Sequence, residues 1–143
     1  MIIDFYVMEG SGRMQALREL CILLETPYET GQPVYVHTAT QEDAEQLDKL
    51  LWTYRDDSFL AHQITTGVSE MTAPIEIGVA SEPTRMEGVL VNLTTQIPSF
   101  YQQFSRVIEI VFSDPAAQQA ARDRFRQYRE QGCELNTHKM KVN

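Results

Sequence analysis

The chain has 143 residues, 43% of them hydrophobic, which fits one domain, residues 1–143, able to bury its own core. It carries 12 Lys and Arg against 20 Asp and Glu, a net charge of −8, which excludes broad binding to phosphate backbones unless positive charge is gathered locally. No apolar run is long enough to span a membrane, the opening MIIDFYV has an acid where a secretory leader carries positive charge, and Cys21 and Cys133 form neither a zinc pattern nor a disulfide framework. A cytoplasmic protein without membrane contact is expected, with both thiols reduced and Cys21 on a buried helix face.

In chain order, Ile2, Phe5, Tyr6 and Val7 form a β-rich run that reads as a first, central strand. After Gly10-Ser11-Gly12, the residues Met14, Leu17, Leu20, Cys21 and Leu24 recur at helical spacing, and that helix ends near Pro27. Gly31-Gln32-Pro33 turns the chain into a second strand, Val34-Tyr35-Val36, completing a βαβ unit expected to cross over right-handed. Thr40, with Asp43 three residues on, caps a second helix over about 41–53 with Ala44, Leu47, Leu50 and Leu51 on its apolar face. From Trp52 to His62 the pattern is loop-like, and residues 65–73 are turn-rich. Pro74 to Val79 alternates as a short third strand exposed on one face, and 80–88 reads as a loop. Val89 to Leu93 is a fourth strand, Pro98 opens a short helix containing Phe100, Tyr101 and Phe104, and Val107 to Phe112 is a fifth strand. Alternation of strands and helices gives an α/β domain with a mostly parallel sheet flanked by helices.

No catalytic set assembles along this chain. Gly10-Ser11-Gly12 follows the first strand where nucleotide-binding folds cradle phosphate, but it has neither the third glycine nor the P-loop lysine, so a simple turn is the expectation. The alternative is a small Rossmann-like enzyme binding a nucleotide or phosphorylated metabolite at Gly10–Gly12, with His37 beside it. His37, His62 and His138 lack metal-ligand spacing, so neither a metal nor a cofactor is expected. Glu42, Asp43, Glu45 and Asp48 read as a solvated helix face. Trp52, Tyr54 and Phe59 either pin their loop to the core or, with Arg55, form a partner surface.

The last helix stands out by charge. Residues 122–143 hold six basic residues (Arg122, Arg124, Arg126, Arg129, Lys139, Lys141) against Asp123, Glu130 and Glu134, a net +3 on an acidic chain. Ser113 or Asp114 caps this helix and Pro115 opens it. Ala117, Ala121, Phe125 and Tyr128 form one stripe that packs; Arg122, Arg126 and Arg129 form a second, about 100° round, that faces outward. A solvated amphipathic helix accounts for the pattern, and so does a site for an acidic, partly apolar ligand.

DFYV, GQPVYVHTATQEDAEQLDKLLW, SFLAH, PIEI, VLVNL and above all ARDRFRQYREQGCELNT, in that order, resemble the chi-subunit family of bacterial DNA polymerase III over nearly the whole chain. Phe125 stands where that family often has tyrosine, Arg126 where lysine is common, and the tail HKMKVN is particular to this chain. The resemblance implies a Rossmann-like fold without nucleotide catalysis, acting as a clamp-loader accessory. It also implies a pocket for the acidic, phenylalanine-ended tail of single-stranded DNA-binding protein at Val111, Arg122, Phe125 and Arg126, with Tyr128 and Arg129 nearby. A second surface, at Trp52 and Phe59 with Arg55 as neighbour, would bind the psi subunit, with a repair helicase as a competing partner there and DNA reached only indirectly.

Overall fold

The computed structural model describes residues 1–10, 12–56, 59–65, 73–80, 82, 83 and 85–141. The β-rich runs become strands β1 (Ile2–Glu9), β2 (Val34–Thr38), β3 (His62–Ile64), β4 (Ile75–Val79), β5 (Val89–Asn92), β6 (Arg106–Val111) and β7 (Glu134–Lys141). The periodic segments become helices α1 (Arg13–Glu29), α2 (Gln41–Thr53) and α3 (Pro115–Glu130). All seven strands join one sheet in the order β3-β4-β2-β5-β6-β1-β7, with every pairing parallel. A parallel sheet covered on both faces needs strands apolar throughout rather than alternating. Val34-Tyr35-Val36 and Val89-Leu90-Val91 meet that need.

Side-chain alternation along each strand divides the core in two. Met8, Val34, Val36, Ile75, Ile77, Val91, Ile108 and Ile110 pack with Leu17, Leu20, Cys21 and Leu24 of α1 and Ala44, Leu47 and Leu51 of α2. On the other face Ile3, Phe5, Tyr35, Leu90, Val107 and Val111 pack with Phe100, Phe104, Ala121 and Tyr128. Cys21 is fully buried, and burial pushes its thiol up to about 12, so it stays protonated and inert.

The local capping rules hold. The Thr40 hydroxyl accepts from the Asp43 N–H at 3.1 Å, and the Asp114 carboxylate accepts from the Ala117 N–H at 3.0 Å with Pro115 in the first turn. Helix α1 continues two residues past Pro27.

Several expectations need correction. β1 is internal but sixth of seven, and it does not pair with β2: β5 and β6 lie between them. β4 is not exposed on one face, because it runs between β3 and β2 and Glu76 is only 4% exposed. At Gly78 a Cβ would lie 1.7 Å from the Tyr35 hydroxyl, so this strand position admits no side chain. The helix expected after Pro98 shrinks to a 3-10 turn at Tyr101–Gln103, whose neighbours Phe100 and Phe104 are buried against the sheet. Helix α2 spans Gln41–Thr53 as expected, so the stretch read as a loop from Trp52 to His62 is helical at its start and meets β3 at its end, His62. Most of 65–73, and Ser81 and Thr84 of the 80–88 loop, lie outside the described residues.

Candidate functional site

Between α3 and the sheet lies a groove of about 360 Å³. Phe5 and Val7 of β1 and Val111 of β6 form its floor, Gln118, Ala121, Arg122 and Phe125 of α3 one wall, and Thr137 of β7 the other margin. The register explains the floor: Val7 pairs with Val111 and Phe5 with Thr137, and residues paired across parallel strands face the same way. The Phe5 and Phe125 rings lie 5.5 Å apart, so the helix face and the sheet meet through aromatic contact at the bottom. This volume is at the small end for ligand sites. An apolar side chain can enter while an anionic group meets Arg122, which is exposed at the rim and makes no ion pair among the described residues.

Val111, Arg122 and Phe125, the positions to which the family resemblance points, all line this groove. Arg126 and Arg129 are exposed on the same helix without lining it, and the Arg126 guanidinium is 3.9 Å from Asp123. Tyr128 needs correction as a ligand contact. It is fully buried, its hydroxyl donates to Glu109 Oε2 at 2.6 Å, and it stands edge-on to Tyr101 at 5.1 Å, so it supports the groove from beneath. Burial, then the adjacent carboxylate, raise its phenol pKa, which keeps it a donor.

Sequence reasoning also missed what anchors α3. Arg124, counted with the basic residues of the helix, is 3% exposed: its Nε donates to Glu109 Oε1 at 3.0 Å and its NH1 to the Thr95 carbonyl at 3.1 Å. Asn92 Nδ2 also donates to Glu109, at 3.0 Å to each oxygen. Complete burial pushes the Glu109 pKa up, and the charge of Arg124 with the donors of Tyr128 and Asn92 pull it back only in part. The available signal was positional. Arg124 lies four residues before Tyr128, on the packing side of the helix rather than in the exposed arginine stripe.

The aromatic stretch forms a second candidate surface. Trp52 and Phe59 are 56% and 61% exposed with rings 5.4 Å apart, and Trp52 also packs on His62 at 4.8 Å. Arg55, three residues after Trp52 in the chain, pairs with Glu25 at 3.1 Å. Tyr54 instead is buried, its hydroxyl donating to Glu25 at 2.8 Å.

The alternative phosphate site does not assemble as expected. Gly10 has φ +87°, the backbone a tight turn requires, and Ser11 lies outside the described residues. Arg13, first in α1, is engaged by Asp43 at 3.1 Å and by the Phe112 ring at 4.4 Å. His37 is not beside the loop: β2 and β1 are three strand spacings apart, about 14 Å. It lines a different hollow of about 520 Å³ with Glu82, Thr94 and Phe100, where its Nδ1 has no partner and burial lowers its pKa. The described residues lining that hollow include no cation. Among the described residues no group of three or more His, Cys, Asp and Glu is arranged to hold a metal, and no helix is long and apolar enough to cross a membrane.

Comparison with known proteins places this architecture. In fold it is similar to the crystal structure of T4 UvsW, with a TM-score of 0.65 over 96% of this chain and 41% of that one, at 9% identity. In sequence it is 38% identical over 138 residues to the DNA polymerase III subunit chi of Pseudomonas aeruginosa, covering 96% of each chain. It is 25% identical to the subunit of the same name in Escherichia coli, over 93% of this chain and 94% of that one. The family described as "DNA polymerase III chi subunit, HolC" matches residues 1–136. The chain therefore belongs to the DNA polymerase III chi subunit family, an accessory rather than a catalytic component of that polymerase.

Proposed function

We propose that this chi-family chain is a clamp-loader adaptor that grips the acidic, phenylalanine-ended tail of single-stranded DNA-binding protein in the groove beside α3 and binds psi through Trp52 and Phe59. The observation that carries the reading is the groove's composition: an apolar floor of Phe5, Val7 and Val111 with Phe125 on the wall beside the unpaired Arg122. A terminal aromatic side chain fills the floor, and its carboxylate meets the guanidinium, each charge-assisted hydrogen bond contributing roughly 1.5–3 kcal/mol. Arg126 and Arg129 add attraction along the exposed helix face for the acidic residues upstream, where salt screens it. The psi assignment comes from the family resemblance, and the exposed Trp52–Phe59 pair supports a partner surface there, large aromatics that a monomer surface gains nothing by showing. A repair helicase competes for that surface, and DNA is reached through the protein that coats it.

Isothermal titration calorimetry with a peptide ending in acidic residues followed by Pro-Phe tests the tail site. Binding is expected to the unaltered chain and to weaken several-fold in Arg122→Ala and in Arg126→Ala. Unchanged affinity in both variants would place the ligand elsewhere.

A further inference from the structure

Resting on that tail-binding reading, we infer that β7 supplies a second basic wall to the groove through Lys139, so that an acidic peptide is held between helix and sheet edge rather than by the helix alone. Val111 of β6, Val7 of β1 and Lys139 of β7 are successive partners in one row across three parallel strands. The first two floor the groove, and in the adjacent row Phe5 and Thr137 both line it, so Lys139 points to the same side as Val7 about 4.8 Å farther out. Helix α3, which carries Arg122, is anchored at the β6 side of that row through the hydrogen bond from Arg124 to Glu109. The two cations therefore flank one apolar floor.

Lys139 is exposed, and among the described residues it pairs with no carboxylate. Glu9 follows one pleat on, in backbone register with Lys141 rather than with Lys139. An unpaired ammonium on a flexible stem is suited to following an acidic side chain whose position is not fixed, whereas the planar guanidinium of Arg122 suits the carboxylate at the end of the peptide. β7 is also the edge of the sheet, open on its outer side, which lets the segment preceding the apolar terminus leave the groove across Lys139. The family match ends at residue 136, so this wall belongs to the part of the chain that the family description does not cover. The competing account of Lys139 is that a lysine on an edge strand only deters pairing with another sheet.

Two variants, Lys139→Gln and Lys139→Glu, and two peptides decide the matter, one peptide with acidic residues before Pro-Phe and one with those acids replaced by Ser. For the acidic peptide, Lys139→Glu should raise Kd by about three- to tenfold and flatten its dependence on salt, with Lys139→Gln intermediate. The Ser peptide should bind both variants as it binds the unaltered chain. Equal affinity of all three proteins for the acidic peptide overturns the inference while leaving the groove reading standing, and self-association of the variants without a change in Kd does the same in favour of edge protection. Failure of the unaltered chain to bind either peptide overturns the groove reading and this inference with it. Matching melting temperatures confirm that the variants fold, as an exposed edge position leads one to expect.

Discussion

Glu109 has no solvent contact and accepts from Arg124, Tyr128 and Asn92, three residues of two different elements. Removing one partner of such a pair leaves a desolvated charge behind, so Arg124→Ala should destabilise the chain by roughly 3–5 kcal/mol in urea unfolding, far more than Arg126→Ala. Asp4 tests the same physics with the opposite sign of shift. It is 5% exposed; burial raises its pKa, and the hydrogen bonds from Arg106 at 2.7 Å and His138 at 3.1 Å outweigh burial and leave it below its ordinary 3.8. A carboxyl depressed by folding contributes stability that is complete above its unfolded value and lost as pH falls through the folded one. Asp4→Asn should therefore cost stability at neutral pH, and the gap between it and the unaltered chain should narrow as pH drops below 3.8. Denaturant titrations at several pH values check this, and a gap that stays constant would show that the Asp4 charge is not what matters.

Among the elements, α3 depends on its cap. Asp114→Ala removes the acceptor for the Ala117 N–H at the end of the helix nearest Gln118 and the groove, and about 1 kcal/mol of stability should go with it. A lower melting temperature and weaker tail binding are expected together, while Asp114→Ser should restore much of both. That cap, the Thr40 cap and the arginine stripe were legible because local rules decide them. Helical phase puts Arg124 on the packing side, but its partner Glu109 lies fifteen residues away on another strand, where no local rule reveals it. β7 left no signal at all: its apolar residues, Leu135 and Met140, pack on opposite faces of the sheet, so no period-two pattern arises, and its order comes from eight register pairs with β1. β3 is three residues long and polar at two of them, below what alternation can reveal. The groove was half visible for the same reason. Arg122 and Phe125 follow from helical phase and Val111 from the family resemblance, whereas Phe5, Val7 and Thr137 join them only through strand order.

On the scale of the whole molecule, the two candidate surfaces stand at opposite ends of the sheet. Trp52 packs on β3, the groove straddles β1, and five strand spacings, about 24 Å, separate those strands. Sites so far apart with no shared residue should act additively. Trp52→Ala is thus expected to abolish co-purification with psi and leave tail affinity unchanged, a result that loss of both together would contradict. The strand order also bears on how the chain is made. β1 is synthesised first, yet its neighbours are β6 and β7, with Ile2 aligned to Arg106 and to Glu134. At roughly 5–20 residues per second, a ribosome needs about 5–20 s to deliver β6 after β1, and Phe5 and Val7 wait unpaired throughout. A nascent chain stalled before β6 should leave this first strand open to protease and to chaperones, and the groove becomes competent only once the final strand has left the exit tunnel.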